Sequence, residues 1–580
     1  MKLRNVLVVV GLLLIQGAGC ARPNAGGPRA GAPPLLVFNA RVWTGNPSQP
    51  VADSFFVEDG RIREVGTGLG DDERIASVPG LRRMDANGAR ILPGLIDAHV
   101  HLIGGGLQLS RINLRDVPDR AAFVAAIAER GRATPKGEWI LGGRWSTESW
   151  PDPAQPTREW IDAVTPDHPV LLSRMDGHGA LANSVALKLA GIDAKGPADP
   201  LGGEIARDSA TGERTGSRKD TAVDLVAARV PPPTDLELDL ALKAAMAEAH
   251  RYGITSVHTM SAYAELAPID RARDAGTLTL RVRFFISEND WRNYVDRAKA
   301  HRNDEFVRVC GFKQYADGSL GSRTAYMAEP FSDNPQERED WRGLAREILL
   351  TEDGLLAMCK VADSNRFGSA VHAIGDKANQ LVLNIYEVVK SKRPDWRINS
   401  YPQEHTPPPG GVLRIEHVQH LLAEDIKRLA RLGVVASMQP LHKADDARYA
   451  EAAIGAERCK SSYAFRSLLD AGAHLAFGSD WPVVSINPFL GIHAAITALS
   501  LDGEVFVPEQ KIKLEEALAA YTSGAAYAAG DELRLGQIAP GFAADFVILT
   551  NDILAMPPDA VRGVTVQSTY VDGRQVWPSP

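Results

Sequence analysis

Residues 91–102, ILPGLIDAHVHL, form an apolar segment that ends in two histidines one residue apart. The apolar run is interrupted once, at Pro93-Gly94, and then continues to His99 and His101. Residues i and i+2 of a strand point to the same face, so a strand here would place both imidazoles side by side. At the carboxyl end of a barrel strand that face is the barrel mouth, where active sites lie. Two imidazoles there can bind one metal ion, although a histidine pair alone is a weak signal.

Seven further short apolar runs follow, and helical patterns separate them. They are ITSVHTM (254–260), RVRFFI (281–286), FVRVCGFKQY (306–315), SAVHAIG (369–375), VLRIEHVQ (412–419), VVASMQP (434–440) and HLAFGSD (474–480). The segments AEDIKRLARLG and FRSLLDAGA between late members of this series have amphipathic helical patterns in which glycine marks the end. Eight β units alternating with helices predict an α/β fold, a (β/α)8 TIM barrel.

The two ends of the chain have a different, β-rich pattern. Residues 35–90 and 536–580 alternate apolar and polar positions, and Asp59-Gly60 and Asp572-Gly573 are hairpin-turn signals. We therefore predict a β-sandwich subdomain formed from both chain ends, with the barrel in residues 91–535. Residues 103–250 are too many for one crossover, so they are predicted to form an inserted subdomain after the first barrel strand.

The N-terminus resembles an export signal. Residues 1–20 combine a basic start, an apolar stretch and small residues, as in a secretory signal peptide. Cys20 ends a sequence similar to a bacterial lipobox, with Gly17 where leucine is usual, so we predict a lipoprotein signal with lipidation at Cys20. Cleavage without lipidation is the alternative. Residues 21–34 are rich in proline, glycine and alanine and are predicted to be a flexible tether. A bacterial protein would then be periplasmic, or held at a membrane only through this lipid.

Composition excludes some classes of partner. The formal net charge is -8 and no basic run occurs, so nucleic acid is not expected as a partner. The chain has four cysteines and none forms a CxxC pair, which indicates neither a cysteine zinc site nor a disulfide framework. Lipidation of Cys20 would leave an odd number, for which buried free thiols are expected. A small-molecule substrate is the expected partner, and a homodimer is left open.

Imidazole and charged side chains recur at the ends of the later predicted strands. His372, His417 and Asp480 lie in the runs SAVHAIGD, VLRIEH and HLAFGSD. Lys313 lies inside FVRVCGFKQY, where burying a cation is costly. Imidazole and carboxylate suit zinc and similar ions. The sequence therefore predicts that these side chains join the first histidine pair in a metal site at the barrel mouth.

The order of these motifs resembles that of a known family. The chain is similar to the metal-dependent amidohydrolase superfamily, in the amidohydrolase family 3 branch that includes N-substituted formamide deformylase-like enzymes. The resemblance rests on LPGLIDAHVHL, GFKQYADGSLGSRTA, VHAIGD, RIEHVQ, ASMQPLH, FGSDWPV and GQIAPGFAADFVIL, which span nearly all of the chain after the leader. It implies zinc or similar divalent metal as cofactor, two ions bridged by a carboxylated lysine. The implied ligands are His99, His101, Lys313, His372, His417 and Asp480.

The resemblance implies a hydrolase of carbon–nitrogen bonds other than peptide bonds, acting on an amide or formamide-like small molecule. Metal-activated water would attack the carbonyl carbon, and Asp480, as the catalytic residue, would pass the proton to the leaving nitrogen. A Lys313 that only hydrogen-bonds beside one metal is an alternative for the site. A mononuclear deaminase of a heterocycle and a non-catalytic surface binding protein are the alternatives for the function.

Four side chains outside the ligand set are predicted to contact substrate from loops and strand ends. Arg323, in the Gly/Ser-rich loop DGSLGSRTAYM, could pair with a substrate carboxylate, and a structural role is its alternative. His178, in RMDGHGALANSVAL of the predicted insert, looks substrate-facing, with a capped turn as the alternative. Gln439 and His442, in MQPLH, follow the seventh predicted strand.

A tryptophan-rich segment, WILGGRWSTESW, also lies in the predicted insert. Its Trp145 is predicted to wall an apolar substrate pocket, although core packing is the commoner use of tryptophan. Relatives in the family often have glycine before this tryptophan. Arg144 stands there in this chain, so the pocket departs from the family's pattern.

Overall fold

The computed structural model describes residues 32–579 apart from 148–149, 153, 176–178, 194, 201–202, 209, 303, 334–339, 352–353 and 393–410. The predicted signal segment with Cys20, most of the predicted tether and His178 lie outside the described residues. Export, lipidation and a homodimer therefore stay predictions. Within the described part, no helix has the length and apolar character needed to cross a membrane.

Eight parallel strands form the central sheet, and they coincide with the eight apolar runs of the sequence. In chain order they are β1 (Leu95–Val100), β2 (Ile254–Ser261), β3 (Arg281–Ser287), β4 (Val307–Tyr315), β5 (Gly368–Ala373), β6 (Leu413–His417), β7 (Val435–Met438) and β8 (His474–Phe477). Consecutive strands pair with one another, from β1 to β8, in that order. Bridges between Val100 and Trp481 bring the last strand back to the first. The predicted (β/α)8 barrel is confirmed.

Helices surround this sheet and separate its strands. The longer ones outside the insert are Leu102–Ser110, Asp235–Arg251, Leu266–Asp274, Leu355–Ser364, Asp376–Lys392, Ala423–Leu432, Pro488–Thr497, Leu514–Ala520 and Ser523–Ala529. The two helices expected from AEDIKRLARLG and FRSLLDAGA are present as Ala423–Leu432 and Phe465–Asp470. Gly433 ends the first of them in the left-handed region, with φ of 57°, which glycine adopts without a Cβ clash.

The segment ILPGLIDAH divides between two sheets. Arg90–Pro93 pairs with Arg41–Trp43 and Phe546–Leu549 in the terminal sheet, and the barrel strand begins only at Leu95. Gly94 is the junction, and a Cβ there would lie 2.2 Å from Oγ1 of Thr255 on β2. The Thr255 side chain packs directly on the backbone of Gly94, so there is no room for a Cβ at this position.

Both chain ends build the second unit of the fold. One sheet has six strands in the order Arg574–Trp577, Val566–Val571, Phe546–Leu549, Arg90–Pro93, Arg41–Trp43 and Val51–Ala52. A four-stranded sheet has the order Arg61–Gly66, Ser54–Glu58, Leu35–Phe38 and Arg82–Asp85. Leu35, Phe55, Ile91 and Phe546 from the two sheets share one buried cluster. The sheets therefore pack face to face, in the sandwich arrangement expected for the chain ends.

The insert is a separate six-stranded sheet. Its order is Gly203–Arg207, Arg214–Asp220, Gly179–Ala182, Val170–Arg174, Ile140–Trp145 and Ile112–Asn113. Helices Leu102–Ser110 and Asp235–Arg251 lie at the two ends of the predicted insert, but they pack on each other and contribute to the barrel core. The sheet of the insert therefore includes fewer residues than the predicted range 103–250, because the helices at both ends of that range belong to the barrel.

Cys310, Cys359 and Cys459 are unpaired. Cys359 and Cys459 are buried, whereas Cys310 is partly exposed. The expectation of free thiols is confirmed for these three, and full burial holds for two of them.

Replacing Gly94 by alanine should destabilise the protein, because the new methyl group would overlap Thr255 at a buried junction. We expect a loss of about 1–3 kcal/mol in the free energy of unfolding, measured by denaturant or thermal unfolding. Gly563→Ala is the matched control, because no atom lies within 4 Å of a Cβ at that position. Equal stability of the two variants would contradict the proposed tight junction.

Candidate metal centre and active site

The six side chains predicted as ligands meet at the carboxyl ends of the barrel strands. The ring centroids of His99 and His101 are 5.7 Å apart, and that of His417 is 5.0 Å from His99. His372 lies 4.5 Å from His417, measured between ring centroids. Lys313 is 1% exposed, and its Nζ lies 3.5 Å from Nε2 of His99. The remaining ligand, Asp480, follows β8.

Asp480 lies in a tight turn that is hydrogen-bonded to the first strand. Its backbone N–H donates to the carbonyl of His99 (2.7 Å), and the N–H and Oγ of Ser479 donate to the Asp97 carboxylate (2.9 and 2.5 Å). A Cβ on Gly478 would lie 2.5 Å from the backbone nitrogen of His99, so only glycine allows this approach. The sequence FGSD therefore places Asp480 against the histidine pair.

Two groups of side chains could each hold a cation, and they share one carboxylate. Among the described residues, the ligand atoms of His99, His101 and Asp480 lie within 4.8 Å of one another, as do those of His417, His442 and Asp480. Oδ1 of Asp480 lies 3.2 Å from Nε2 of His101, and Oδ2 lies 4.0 Å from Nε2 of His442.

The donor set fits a divalent metal. Nε2 of His442 and Oδ1 of Asp480 are buried and make no hydrogen bond. Buried polar atoms are normally satisfied, so two such atoms on neighbouring side chains require an explanation. Imidazole nitrogen and carboxylate oxygen are the ligands that zinc and similar ions take. These residues are therefore suited to hold a cation, and their role as ligands stays a prediction.

The protonation states of these groups also suit metal binding. Burial and the charge of Lys313 lower the pKa of His99 to about 4 and that of His372 to about 3. Burial and the neighbouring His372 keep the pKa of His417 well below its usual value. Burial opposes ionisation of Asp480, but the surrounding histidines outweigh it where they are protonated, at low pH, and hold the pKa of that carboxyl well below its ordinary range. Neutral imidazoles beside an ionised carboxylate are the forms that bind cations.

A buried ion pair lies directly behind His99. Its Nδ1 is 2.7 Å from Oε2 of Glu416. An ionised carboxylate has no proton to donate, so it accepts the hydrogen bond from Nδ1. Arg414 donates to both oxygens of Glu416, from Nε (2.5 Å) and Nη2 (3.0 Å). The proton of His99 is thereby placed on Nδ1, and Nε2 is left for a metal.

Arg414 also ties this pair to the rest of the barrel. It donates to the carbonyl of Ala98 (2.6 Å) and to Oγ of Ser437 (2.7 Å), and its Nη1 lies 2.9 Å from Nδ1 of His258. Carboxylates that orient a ligating histidine in this way strengthen metal binding. Sequence reasoning missed this role, although the charges of RIEH inside an apolar strand were a signal of it.

His372 and Gln439 make contacts that the sequence did not indicate. Nε2 of His372 donates to the carbonyl of Gly318 (2.9 Å), so Nδ1 is the nitrogen left for a cation. Gln439 is fully buried, and its Oε1 accepts from Nδ1 of His417 at 2.8 Å. Gln439 thus orients a ligand histidine, while substrate contact by Gln439 and His442 stays a prediction.

The other predicted substrate residues lie in different surroundings. Trp145 is 2% exposed and packs edge-on against Phe123 in the core of the insert, with centroids 6.3 Å apart. Arg323 forms a bidentate ion pair with Asp333, so its charge is already neutralised. Each of these two side chains finds a partner within the fold, which favours the structural alternatives, and contact with substrate stays a prediction for both. His178 lies outside the described residues.

Known proteins resemble this chain over most of its length. The model of the amidohydrolase family (Amidohydro_3) matches residues 82–577. Protein LONG AFTER FAR-RED 3 of Arabidopsis thaliana is 37% identical over 94% of this chain and 91% of its own length. N-substituted formamide deformylase of Arthrobacter pascens is 26% identical over 93% and 97%, respectively. The solved structure of a metal-dependent hydrolase of Pyrococcus furiosus has a TM-score of 0.70 at 25% identity, covering 91% of this chain and 100% of that one.

Replacing Glu416 by glutamine should weaken metal binding by about 10–100-fold. Glutamine cannot neutralise the charge of Arg414. Its NH2 group could also replace the oxygen that accepts the hydrogen bond from Nδ1 of His99, and the proton of His99 would then no longer be fixed there. The measurement is competition for zinc against a chromophoric chelator. Glu457→Gln, whose side chain is 85% exposed, is the control and should keep wild-type affinity. Unchanged affinity in the Glu416 variant would show that the pair does not orient the ligand.

Proposed function

This chain belongs to the amidohydrolase family and is a metal-dependent hydrolase, and we propose that it cleaves non-peptide carbon–nitrogen bonds of small amides or formamides. The observation that carries this proposal is the carboxylate of Asp480 shared by two histidine groups. The named activity of N-substituted formamide deformylase, which is 26% identical over nearly the full length of both chains, supports the choice of bond.

Asp480 is placed to move the proton of the reaction. A divalent cation held by the histidines and Asp480 would act as a Lewis acid, activating water and polarising a carbonyl oxygen. Oδ1 of Asp480 makes no hydrogen bond within the described part of the chain, so it can accept a proton from the attacking water. The same carboxyl group can then donate that proton to the leaving nitrogen.

The finer proposal is a site with two divalent ions, zinc or similar, bridged by a carboxylated Lys313. Lys313 is buried, and its Nζ lies beside Nε2 of His99 rather than a carboxylate. A buried lysine amine that loses its proton can add carbon dioxide and become an anionic ligand. The two histidine groups that share Asp480 support two ion positions, with one group on each side of that carboxylate.

A panel of N-substituted formamides and N-acyl amines tests the bond type. We expect metal-dependent release of the amine from at least one neutral or charged amide, and loss of that activity after dialysis against a chelator. Amine release is measured by a fluorogenic amine assay, with metal content determined on the same samples. Re-addition of zinc should restore both.

The contrary outcomes separate the alternatives. One ion per chain together with ammonia release from aminated heterocycles would favour the mononuclear deaminase. A metal-replete protein that hydrolyses no amide, ester or lactone would favour the non-catalytic binding protein.

Asp480→Asn should abolish turnover while most of the metal is retained. The asparagine keeps one oxygen for metal contact but cannot carry the proton, so we expect kcat to fall by about 10²–10⁴-fold. The measurement pairs kcat with metal content per chain. Asp502→Asn, an exposed position, is the control and should change neither. Near-normal turnover in the Asp480 variant would reject the role in proton transfer.

A further inference from the structure

Arg144 occupies an irregular position at the end of an insert strand. The parallel pairing of Ile140–Trp145 with Val170–Arg174 shifts register between Gly143 and Trp145, so Arg144 has no partner residue across the ladder. Its φ is 66°, in the left-handed region that residues with a Cβ rarely adopt. Bulges of this kind re-aim a side chain, and they are frequent beside active sites.

The bulge directs Arg144 to the turn that carries Asp480. Its Nη2 donates to the carbonyl of Val483, and the N–H of Val483 donates to the carbonyl of Asp480 (2.8 Å). Nη1 of Arg115 donates to the same Val483 carbonyl at 3.0 Å. Two guanidinium groups from the insert therefore meet at the edge of the metal centre.

The two arginines differ in their charge partners. Nη2 of Arg115 lies 3.3 Å from the Asp445 carboxylate, which is also paired with Arg448. Arg144 has no ion pair with any described residue, and its hydrogen bond goes to an uncharged carbonyl. Burial, together with the charge of Arg115, lowers the pKa of Arg144 to about 10, so it is still a cation at neutral pH. This edge of the mouth therefore carries a half-buried guanidinium that forms no ion pair with a described residue.

We propose that Arg144 binds an anionic group of the substrate, so that the preferred substrates are amides or formamides that also carry a carboxylate. The proposal rests on the function proposed above. A planar guanidinium pairs with carboxylate through two parallel hydrogen bonds, which fixes orientation as well as position. The sequence suggested Arg323 for this contact, but Arg323 is paired with Asp333, whereas Arg144 has its charge available.

Matched substrates test the proposal directly. One pair is N-benzylformamide and 4-(formamidomethyl)benzoate, which have the same formamide group and differ by one carboxylate. A second pair is N-formylglycine and N-formyl-β-alanine, which differ in the distance between the carboxylate and the formamide group. We expect kcat/KM for the best anionic member to exceed that for N-benzylformamide at least about tenfold. Arg144→Gln should reduce that ratio by about tenfold or more, through KM rather than kcat.

Two further variants make the comparison specific. Arg144→Lys keeps the charge but not the planar fork, so it should retain part of the preference. Arg207→Gln, in the same insert but ion-paired with Asp199, should leave the ratio unchanged. An anionic preference that survives Arg144→Gln, or a wild type that prefers the neutral amide, overturns the proposal while leaving amide hydrolysis intact.

A binding measurement gives an answer that does not depend on turnover. Calorimetric titration with 4-methylbenzoate should give a dissociation constant about tenfold larger for Arg144→Gln than for the wild type. Equal affinities would mean that the carboxylate binds elsewhere, for example at the metal, and would overturn the proposal. Failure of every amide to react would instead count against the proposed function, and the titration would still decide the role of Arg144.

Discussion

Two backbone hydrogen bonds between the first and the last barrel strands are the contacts on which the site depends. The N–H of Asp480 donates to the carbonyl of His99, and the N–H of His101 donates to the carbonyl of Trp481, both at 2.7 Å. They close the barrel at the residues that carry the predicted metal ligands. The distance between the histidine pair and the carboxylate is therefore set by the backbone, so the predicted ligands are pre-organised.

Several buried arginines of this barrel are held in ion pairs. Arg414 neutralises Glu416 behind the ligands, and Arg283 and Arg308 share Asp531 elsewhere in the barrel. Arg281 connects β3 to Asp545 and Asp572 of the C-terminal segment. An unpaired charge inside such a fold is costly, so these paired arginines stabilise the barrel. Within the described residues Arg144 forms no such ion pair, and its side chain lies at the barrel mouth beside the Asp480 turn.

Much of the fold could be predicted from the sequence, because local pattern encodes it. Short apolar runs bounded by turn signals marked all eight barrel strands, and their ends marked the convergent ligands. The division of one apolar run at Gly94 could not be predicted, because it depends on Thr255, a residue distant in sequence. The contacts of Gln439, Trp145 and Arg323 likewise depend on tertiary neighbours. The bulge that turns Arg144 toward the mouth is a register shift, and nothing in the local composition specifies it.

The strand Arg90–Pro93 has a consequence for how the protein is made. It leads directly into β1, yet one of its sheet neighbours is Phe546–Leu549, close to the C-terminus. At roughly 5–20 residues per second of synthesis, that neighbour emerges about 20–90 seconds after Arg90–Pro93. During this interval one edge of an apolar strand is unpaired, and unpaired strand edges can pair with other chains and aggregate. Completion of the terminal sheet is thus a late step of synthesis, and this strand edge stays open to pairing with other chains until the C-terminal strands are released.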